Sequence, residues 1–213
     1  MSNQVQHKMS KAELTALIAM MFATIAFSID AMLPALPEIG EALSPNDINR
    51  AQLILTAFMF GLGIGTFFTG PLSDAFGRKP VILVGAVVYV LSAAAAWASS
   101  SLEILLISRV TMGLGAAGPR VVAIAIVRDL FSGREMARVL SIAMMIFTLV
   151  PAFAPLLGLG IITVAGWRAI FIAIALFLIA VVIWTALRLP ETLAKEKRRP
   201  FKMPLLIMAA KEM

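Results

Sequence analysis

Two charged side chains lie inside long apolar stretches of the sequence, where burying a charge is energetically costly. Asp30 lies about six residues, or about 9 Å, before the end of the first stretch at Leu36. Arg109 lies about seven residues, or about 10 Å, after the start of the fourth stretch at Leu102. A carboxylate near a guanidinium can gain and lose a proton as the two groups separate and approach. The pair therefore predicts a cavity or a partner for these charges, although a static ion pair that fastens two helices would leave the same pattern.

A third charge, Arg120, follows Arg109 by about three helical turns, so both side chains are predicted on one helix face. Gly113 and Ala116 fall between them on the same stripe. Small residues between two arginines predict a cavity lining with room for a ligand. The alternative is a close contact between two helices, from which the arginines extend toward opposite membrane surfaces.

The composition places these charges in a membrane protein. Of the 213 residues, 61% are hydrophobic and only 14% are charged, and the mean hydropathy is +0.96. A soluble domain of this length needs more polar surface. The sequence has no cysteine and a single histidine, His7, so it lacks the parts of a thiolate or histidine metal site, a disulfide framework or a Ser-His pair. We therefore expect no enzyme activity, no metal or cofactor and no nucleic-acid partner.

Six segments reach the length of about 20 residues that crosses a bilayer, which predicts an all-α integral membrane fold. The predicted spans are 14–36, 51–70, 81–99, 102–127, 139–164 and 169–187. By this division, residues 1–11 form a polar tail, 12–188 a six-helix transmembrane bundle and 189–213 a linker segment.

The spans also follow a repeat. The first and fourth, the second and fifth, and the third and sixth spans each begin 88 residues apart. Because each unit holds an odd number of helices, the second unit crosses the membrane in the opposite sense to the first. The spacing therefore predicts two inverted three-helix repeats, an arrangement typical of secondary transporters.

Lysine and arginine are divided unequally between the predicted loops. With the N-terminus inside, fourteen of the 18 basic residues lie on the cytoplasmic side and only Arg50 and Arg168 lie outside. Arg109 and Arg120 lie within the fourth span. Because positive residues favour the cytoplasmic side, both termini are predicted to be cytoplasmic.

The most specific motif joins the second and third spans and reads GPLSDAFGRKP. It is too short to cross a membrane, and its glycines and prolines predict a tight turn. The stretch resembles the signature loop of the major facilitator superfamily, G-x-L-x-D-x-x-G-R-K. The positions that match are Gly70, Leu72, Asp74, Gly77, Arg78 and Lys79.

The charges of this loop predict a contact at the cytoplasmic surface. Arg78 is expected to lie near Asp129, which follows the fourth span, and Asp74 is expected to face the helix bundle. Opposite charges at one membrane level could lock one conformation and release it in another.

Other stretches resemble motifs of proton-coupled drug exporters in the same superfamily. The fourth span reads RVTMGLG from Arg109, similar to R-x-x-Q-G-x-G with Met112 in place of glutamine. The fifth span reads PAFAPLLG from Pro151, which is similar to the proline-rich motif of the Bcr/CflA branch. The sequences DAMLPALP from Asp30 and LPETL from Leu189 resemble the same branch.

Proline and glycine also mark candidate bends, because proline removes a backbone hydrogen bond from a membrane helix. The candidate bends lie at Pro119 in the fourth span and at Pro151, Pro155 and Gly158 in the fifth.

The resemblance implies a transporter of the bacterial inner membrane that exports small, mostly apolar drugs in exchange for protons. Alternating access would be driven by the proton gradient without a cofactor, with Asp30 as the protonatable carboxylate and Arg109 tuning it. Drug, protons and membrane lipid would be the partners. The family has twelve helices, so a further C-terminal six-helix half is expected, and this chain is interpreted as the N-terminal half. The alternative is a truncated six-helix remnant or interaction partner that does not transport.

Overall fold

A computed structural model describes residues 9–198, and the regular secondary structure of this part of the chain is entirely helical. Residues 1–8 of the predicted tail and residues 199–213 of the predicted linker lie outside the described residues. The helices are α1 (Lys11–Asp30), α2 (Leu36–Leu43), α3 (Leu53–Phe76), α4 (Arg78–Trp97), α5 (Leu102–Leu130), α6 (Gly133–Ala165) and α7 (Arg168–Arg188). Short 3-10 turns occupy residues 33–35, 48–52 and 195–197.

The six predicted spans are confirmed. The described residues form six helical segments long and apolar enough to cross a membrane, with α1 and α2 together making the first. The chain is therefore an all-α, multi-pass membrane protein.

The predicted turn between the second and third spans is shorter than expected. Pro71 lies inside α3, and Pro80 lies in the first turn of α4, where its missing N–H would have no helical partner in any case. Only Gly77 separates the two helices, with a φ of 107°. A residue with a side chain would be strained there, so this one glycine makes the corner.

Serine side chains cap the first helix of each predicted repeat. Ser10 Oγ accepts a hydrogen bond from Glu13 N at 3.1 Å at the start of α1. Ser101 Oγ accepts one from Ile104 N at 3.3 Å at the start of α5. Each cap satisfies an N–H group that the helix itself leaves free.

The packing confirms two inverted three-helix repeats. Helix α5 packs on α3 and α1 packs on α6, which are equivalent pairs when α1 is exchanged with α5, α3 with α6 and α4 with α7. The pairs α1 with α5 and α4 with α7 exchange into themselves, and both are in contact. The exchange follows the spacing of 88 residues in the sequence.

Small residues let the helices of these pairs approach closely. A Cβ atom built on Gly61 of α3 would lie 1.9 Å from the carbonyl oxygen of Val110 on α5. One built on Gly158 of α6 would lie 2.1 Å from the carbonyl oxygen of Ala31 after α1. Since lipid offers no hydrophobic drive between helices, close backbone packing of this kind is a main source of their association.

The two ends of the bundle differ in charge. One end, called the basic end below, carries the basic residues Lys11, Arg78, Lys79, Arg128, Arg134, Arg138 and Arg188 and the acidic residues Glu13, Asp74, Asp129, Glu135 and Glu191. The opposite end carries Glu38, Glu41, Asp47, Arg50, Glu103 and Arg168. The candidate functional residues lie between these ends or at the basic end.

Candidate functional site

Arg109 of α5 is fully buried at the centre of four helices. Its Nη2 donates to the Ser28 carbonyl oxygen at 3.1 Å, and its Nε approaches the Ile54 carbonyl oxygen at 3.4 Å. Its guanidinium carbon lies 4.4 Å from the centre of the Phe58 ring, which adds a cation–π contact. Its Nη1 has no hydrogen-bond partner among residues 9–198. Partial charges therefore surround this cation, and within the described residues no carboxylate neutralises it.

A pair of buried hydroxyl groups holds the backbone that Arg109 contacts. Ser28 Oγ lies 2.6 Å from the Thr24 carbonyl oxygen, to which it donates its only proton. The Tyr89 hydroxyl of α4 is also hydrogen-bonded to Ser28 Oγ, and since that proton is already committed, Tyr89 is the donor. Tyr89 and Ser28 are both buried, and this pair links α4 to α1 at the level of Arg109.

Asp30 lies at the end of α1, two residues beyond Ser28, and is partly exposed. It lies near the level of Arg109, as the sequence predicts, but the two form no ion pair. The alternative of a static ion pair between them is therefore wrong for this conformation. Gly158 contacts the backbone of Ala31, the residue after Asp30, so α6 packs against the chain directly after this residue.

The prediction that Gly113 lines a cavity is wrong. A Cβ atom on Gly113 would lie 2.2 Å from the Phe58 carbonyl oxygen, and Ala116 is fully buried. The stripe between Arg109 and Arg120 is instead the close contact of α5 with α3, which was the alternative interpretation. Arg109 at one end of the stripe is buried. Arg120 at the other end is the exposed member of the stripe.

Arg120 borders two cavities on the side of the bundle formed by α1, α3, α5 and α6. The first, of about 210 Å³, is apolar except for Arg120. Its other lining residues are Phe22, Ile25, Ile29, Met59, Leu62, Ile124, Met144 and Phe147. The second, of about 460 Å³, lies toward the basic end and contains Asp74, Arg78, Arg128 and Asp129 as well. A third, larger groove of about 490 Å³ near Val84 and Val88 on α4 is lined by no charged residue among those described.

The expected contact between Arg78 and Asp129 is present at the basic end. Arg78 Nε donates to Asp129 Oδ2 at 2.9 Å, and its Nη1 donates to Ser73 Oγ at 2.7 Å and to Asp74 Oδ1. The hydroxyl of Ser73 in turn donates to the Gly70 carbonyl oxygen at 2.9 Å. The side chain of Asp74 is 47% exposed, so the prediction that it faces the bundle is only partly correct.

Glu191 completes this network and was not identified as a site residue from the sequence. Its Oε1 accepts from Arg78 N at 2.9 Å, and its Oε2 accepts from Lys79 N at 3.1 Å, so it caps the start of α4. Lys79 Nζ donates to the carbonyl oxygens of Ala186 and Leu189 at the end of α7. Each helix thus caps the other, with favourable charges at both termini. The LPETL stretch, which contains Glu191, was the sequence feature that could have indicated this cap. Its partners lie 112 and 113 residues away in the chain, so no local pattern connects them.

The candidate bend residues lie within continuous helices. Pro119 lies inside α5, and Pro151 and Pro155 lie inside α6, each of which runs through its proline as one helix. Gly158 provides the close contact with α1 described above. Within the described residues, no group of three or more histidine, cysteine, aspartate or glutamate side chains could hold a metal ion.

Sequence comparison defines the class of protein to which this arrangement belongs. The profile of the Major Facilitator Superfamily matches residues 16–210, which is most of the chain. The chain therefore belongs to the Major Facilitator Superfamily of membrane transporters.

Several of its relatives within the superfamily are named for drug resistance. It is 35% identical to the bicyclomycin resistance protein homolog of Haemophilus influenzae, over 84% of this chain and 45% of that protein. It is 38% identical to a chloramphenicol resistance protein of Pseudomonas aeruginosa, over 78% of this chain and 40% of that protein. The multidrug resistance protein MdtL of Shewanella oneidensis is 32% identical, over 78% and 42%. The chain thus spans about half the length of the curated relatives it matches.

A solved structure shows the same fold at lower sequence identity. The crystal structure of the human organic anion transporter MFSD10 (TETRAN) aligns with a TM-score of 0.73 and 20% identity. The alignment covers 94% of this chain and 55% of that one.

Proposed function

We propose that this chain is the N-terminal six-helix half of a transporter that exports small, mostly apolar drugs in exchange for protons. The observation that carries the proposal is the buried charge of Arg109, which binds no carboxylate among residues 9–198 and contacts the backbone of Ser28, two residues before the partly exposed Asp30. Membership of a transporter superfamily and relatives named for drug resistance support the substrate class. The proton gradient supplies the energy, and no cofactor is required.

In the proposed mechanism, Asp30 carries the proton, and Arg109 attracts Asp30 once that proton is lost. A deprotonated Asp30 is attracted to the free Nη1 of Arg109, whereas a protonated Asp30 is not. Because Asp30 ends α1 and Gly158 of α6 packs on the next residue, movement of the carboxylate would shift both helices. Protonation thereby favours one arrangement of the drug-facing helices over another, as alternating access requires.

The network at the basic end is proposed to lock one of these arrangements. Its members are Gly70, Asp74, Gly77, Arg78, Lys79 and Asp129, together with Glu191. Arg78 is buried and bonded to two carboxylates, so its release would leave charges unpaired and would require a compensating contact elsewhere. Such a lock would open only when the other end of the transporter closes.

The proposed orientation places the basic end and both termini in the cytoplasm, in the inner membrane of a bacterium. The excess of lysine and arginine at that end supports this orientation. Reporter fusions after Glu41 and after Lys79 should report opposite sides of the membrane. A report of the same side for both would contradict the proposed topology.

Substitution of Asp30 by asparagine tests the coupling role. The measurement is pH-gradient-driven efflux of chloramphenicol, an apolar drug, from vesicles that contain the natural gene product, with the amount of protein measured by blotting. Asp30→Asn should abolish gradient-driven efflux, because asparagine keeps the size of the side chain and removes its titration. Asp47→Asn at the opposite end is the matched control and should be unchanged.

Arg109 gives a second arm of the same experiment. Arg109→Ala should lose most efflux, and Arg109→Lys should lose less, since lysine keeps the charge but not the planar fork. Normal gradient-driven efflux by Asp30→Asn would show that this carboxylate does not couple transport to protons. Absence of gradient-driven efflux in the unsubstituted protein would overturn the proposed function itself.

A further inference from the structure

Among the described residues Arg120 has no partner, and it lies on the face where drug-binding residues would lie. It is exposed, and it forms no hydrogen bond or ion pair with any residue from 9 to 198, whereas Arg78 and Arg188 each bind a carboxylate. It lies seven residues before the predicted end of the fourth span at residue 127, which is about 10 Å along the helix. A charge at that depth needs water, a partner or a ligand.

The surroundings of Arg120 form an amphiphilic site. One side is the apolar cavity of about 210 Å³, in which Arg120 is the single charged residue among the described lining. Phe22 and Phe147 form an edge-to-face aromatic pair in that lining, with ring centres 6.5 Å apart. Met59 and Met144 are exposed there, and methionine adapts its shape to different apolar ligands. The site therefore suits an apolar, ring-containing body that has a polar group at one end.

The charge balance indicates the sign of that polar group. Three arginines and two aspartates line the adjoining cavity of about 460 Å³. Both aspartates, Asp74 and Asp129, are already bonded to Arg78. The cavity therefore carries one net positive charge, and Arg120 and Arg128 are its arginines without a carboxylate partner among residues 9–198, so an acidic group is matched there and an ammonium group is not.

We propose that Arg120 selects amphiphilic substrates with an acidic group, binding a carboxylate or sulfonate while the apolar cavity holds the body of the molecule. This inference rests on the proposed function, since it concerns the substrate of that same site. The planar guanidinium can donate two parallel hydrogen bonds to a carboxylate, which makes the contact directional as well as attractive.

The test compares two ligands of nearly equal shape, 1-naphthaleneacetate and 1-naphthaleneacetamide. Their binding to the natural gene product in nanodiscs of neutral lipid is measured at neutral pH without a proton gradient, with empty nanodiscs as the blank. The unsubstituted protein should bind the acetate at least about ten-fold more tightly than the amide, since charge-assisted hydrogen bonds are the stronger ones. Arg120→Gln should remove this preference and leave binding of the amide unchanged, and Arg120→Lys should keep part of it.

Arg134→Gln is the matched control, because Arg134 is an exposed arginine at the basic end that lines neither of these two cavities. It should keep the preference for the acetate. Equal binding of both ligands by the unsubstituted protein, or equal loss of both in Arg120→Gln, would overturn the inference. Loss of the preference when phosphatidylglycerol is added would also overturn it, by showing that a lipid phosphate occupies Arg120.

The binding measurement needs no gradient, so it separates this inference from the proposed function. Preference for the acetate without proton-driven export would retain the anion site and refute the antiport. Proton-driven export without the preference would retain the antiport and refute the role of Arg120.

Discussion

Arg78 and Arg109 are both buried arginines, but they are compensated in different ways. Arg78 lies at the basic end and binds the carboxylates of Asp74 and Asp129. Arg109 lies in the middle of the bundle and contacts carbonyl oxygens and the Phe58 ring, with one nitrogen left free. Arg78 is therefore neutralised within its own network. Arg109 keeps one nitrogen, Nη1, without a partner among residues 9–198, and this nitrogen can bind a negative group.

The difference indicates what each arginine contributes. Removal of a partner from a buried ion pair is strongly destabilising, because it leaves a charge unpaired. Removal of a buried charge that has no counter-charge costs little and can stabilise a protein, because the cost of its desolvation disappears with it. Arg78 is thus expected to support stability, whereas Arg109 is expected to lower stability and to be retained for its proposed role in proton coupling.

The largest expected effect comes from moving the helix that encloses Arg109. Gly61→Val would place side-chain atoms against the backbone of Val110, the residue beside Arg109, and would force α3 away from α5. We expect a loss of about 3 kcal/mol or more in the free energy of unfolding. Gly63→Val is the matched control, since a Cβ there has no heavy atom within 4 Å. Titration with SDS measures both, and equal losses would show that close contact of α3 with α5 is not required.

The next prediction addresses the comparison directly. Arg78→Met should lower the free energy of unfolding by about 2 kcal/mol, because Asp74, Asp129 and Ser73 all lose their donor and part of the network is solvated. Arg109→Met should change it by less than about 1 kcal/mol, or raise it, while abolishing drug export. Both are measured by SDS titration beside an efflux assay. A loss of stability in Arg109→Met as large as that in Arg78→Met would remove the distinction between the two arginines.

A smaller effect should distinguish the two carboxylates that bind Arg78. The Asp129 side chain is 19% exposed and that of Asp74 is 47% exposed, so solvent screens Asp74 more. Asp129→Asn should therefore lower the unfolding free energy by about 1 kcal/mol and Asp74→Asn by about half of that. The reverse order in SDS titration would show that Asp74 is the main partner of Arg78.

The smallest expected effect concerns the cap on α4. Glu191→Gln keeps one acceptor for the N–H groups of Arg78 and Lys79 but loses the negative charge at the helix N-terminus. We expect a loss of about 0.5–1 kcal/mol. Hydrogen exchange of the amides of residues 78 and 79 should accelerate in the variant, while exchange at the start of α5, capped by Ser101, stays the same. Unchanged exchange at residues 78 and 79 would contradict the capping role.

The fold was predictable from the sequence because the bilayer fixes how long an apolar helix must be. The six spans and their spacing of 88 residues were sufficient for the helix number and the inverted repeat. The ends of the helices were less predictable, since charged residues can continue a helix beyond the apolar core. Arg134 and Arg138, for example, were expected in a loop and lie in the first turns of α6.

The site was predictable only where a single helix determines it. The depth of Arg109 and Asp30 follows from counting along α5 and α1, and so does the helix face shared by Arg109 and Arg120. The helix that packs on that face is distant in the sequence, and counting along α5 does not identify it. Gly113 was therefore assigned to a cavity although it contacts α3. The cap by Glu191 was missed for the same reason, because no local pattern indicates a partner more than 100 residues away.

The reciprocal caps between α4 and α7 impose an order on biosynthesis. The N–H groups of Arg78 and Lys79 are made early in translation, but their acceptor is synthesised 112 residues later than Lys79. Until Glu191 leaves the ribosome, the start of α4 depends on water or on lipid headgroups for those hydrogen bonds. The nascent bundle therefore closes at its basic end only after the sixth span has been inserted.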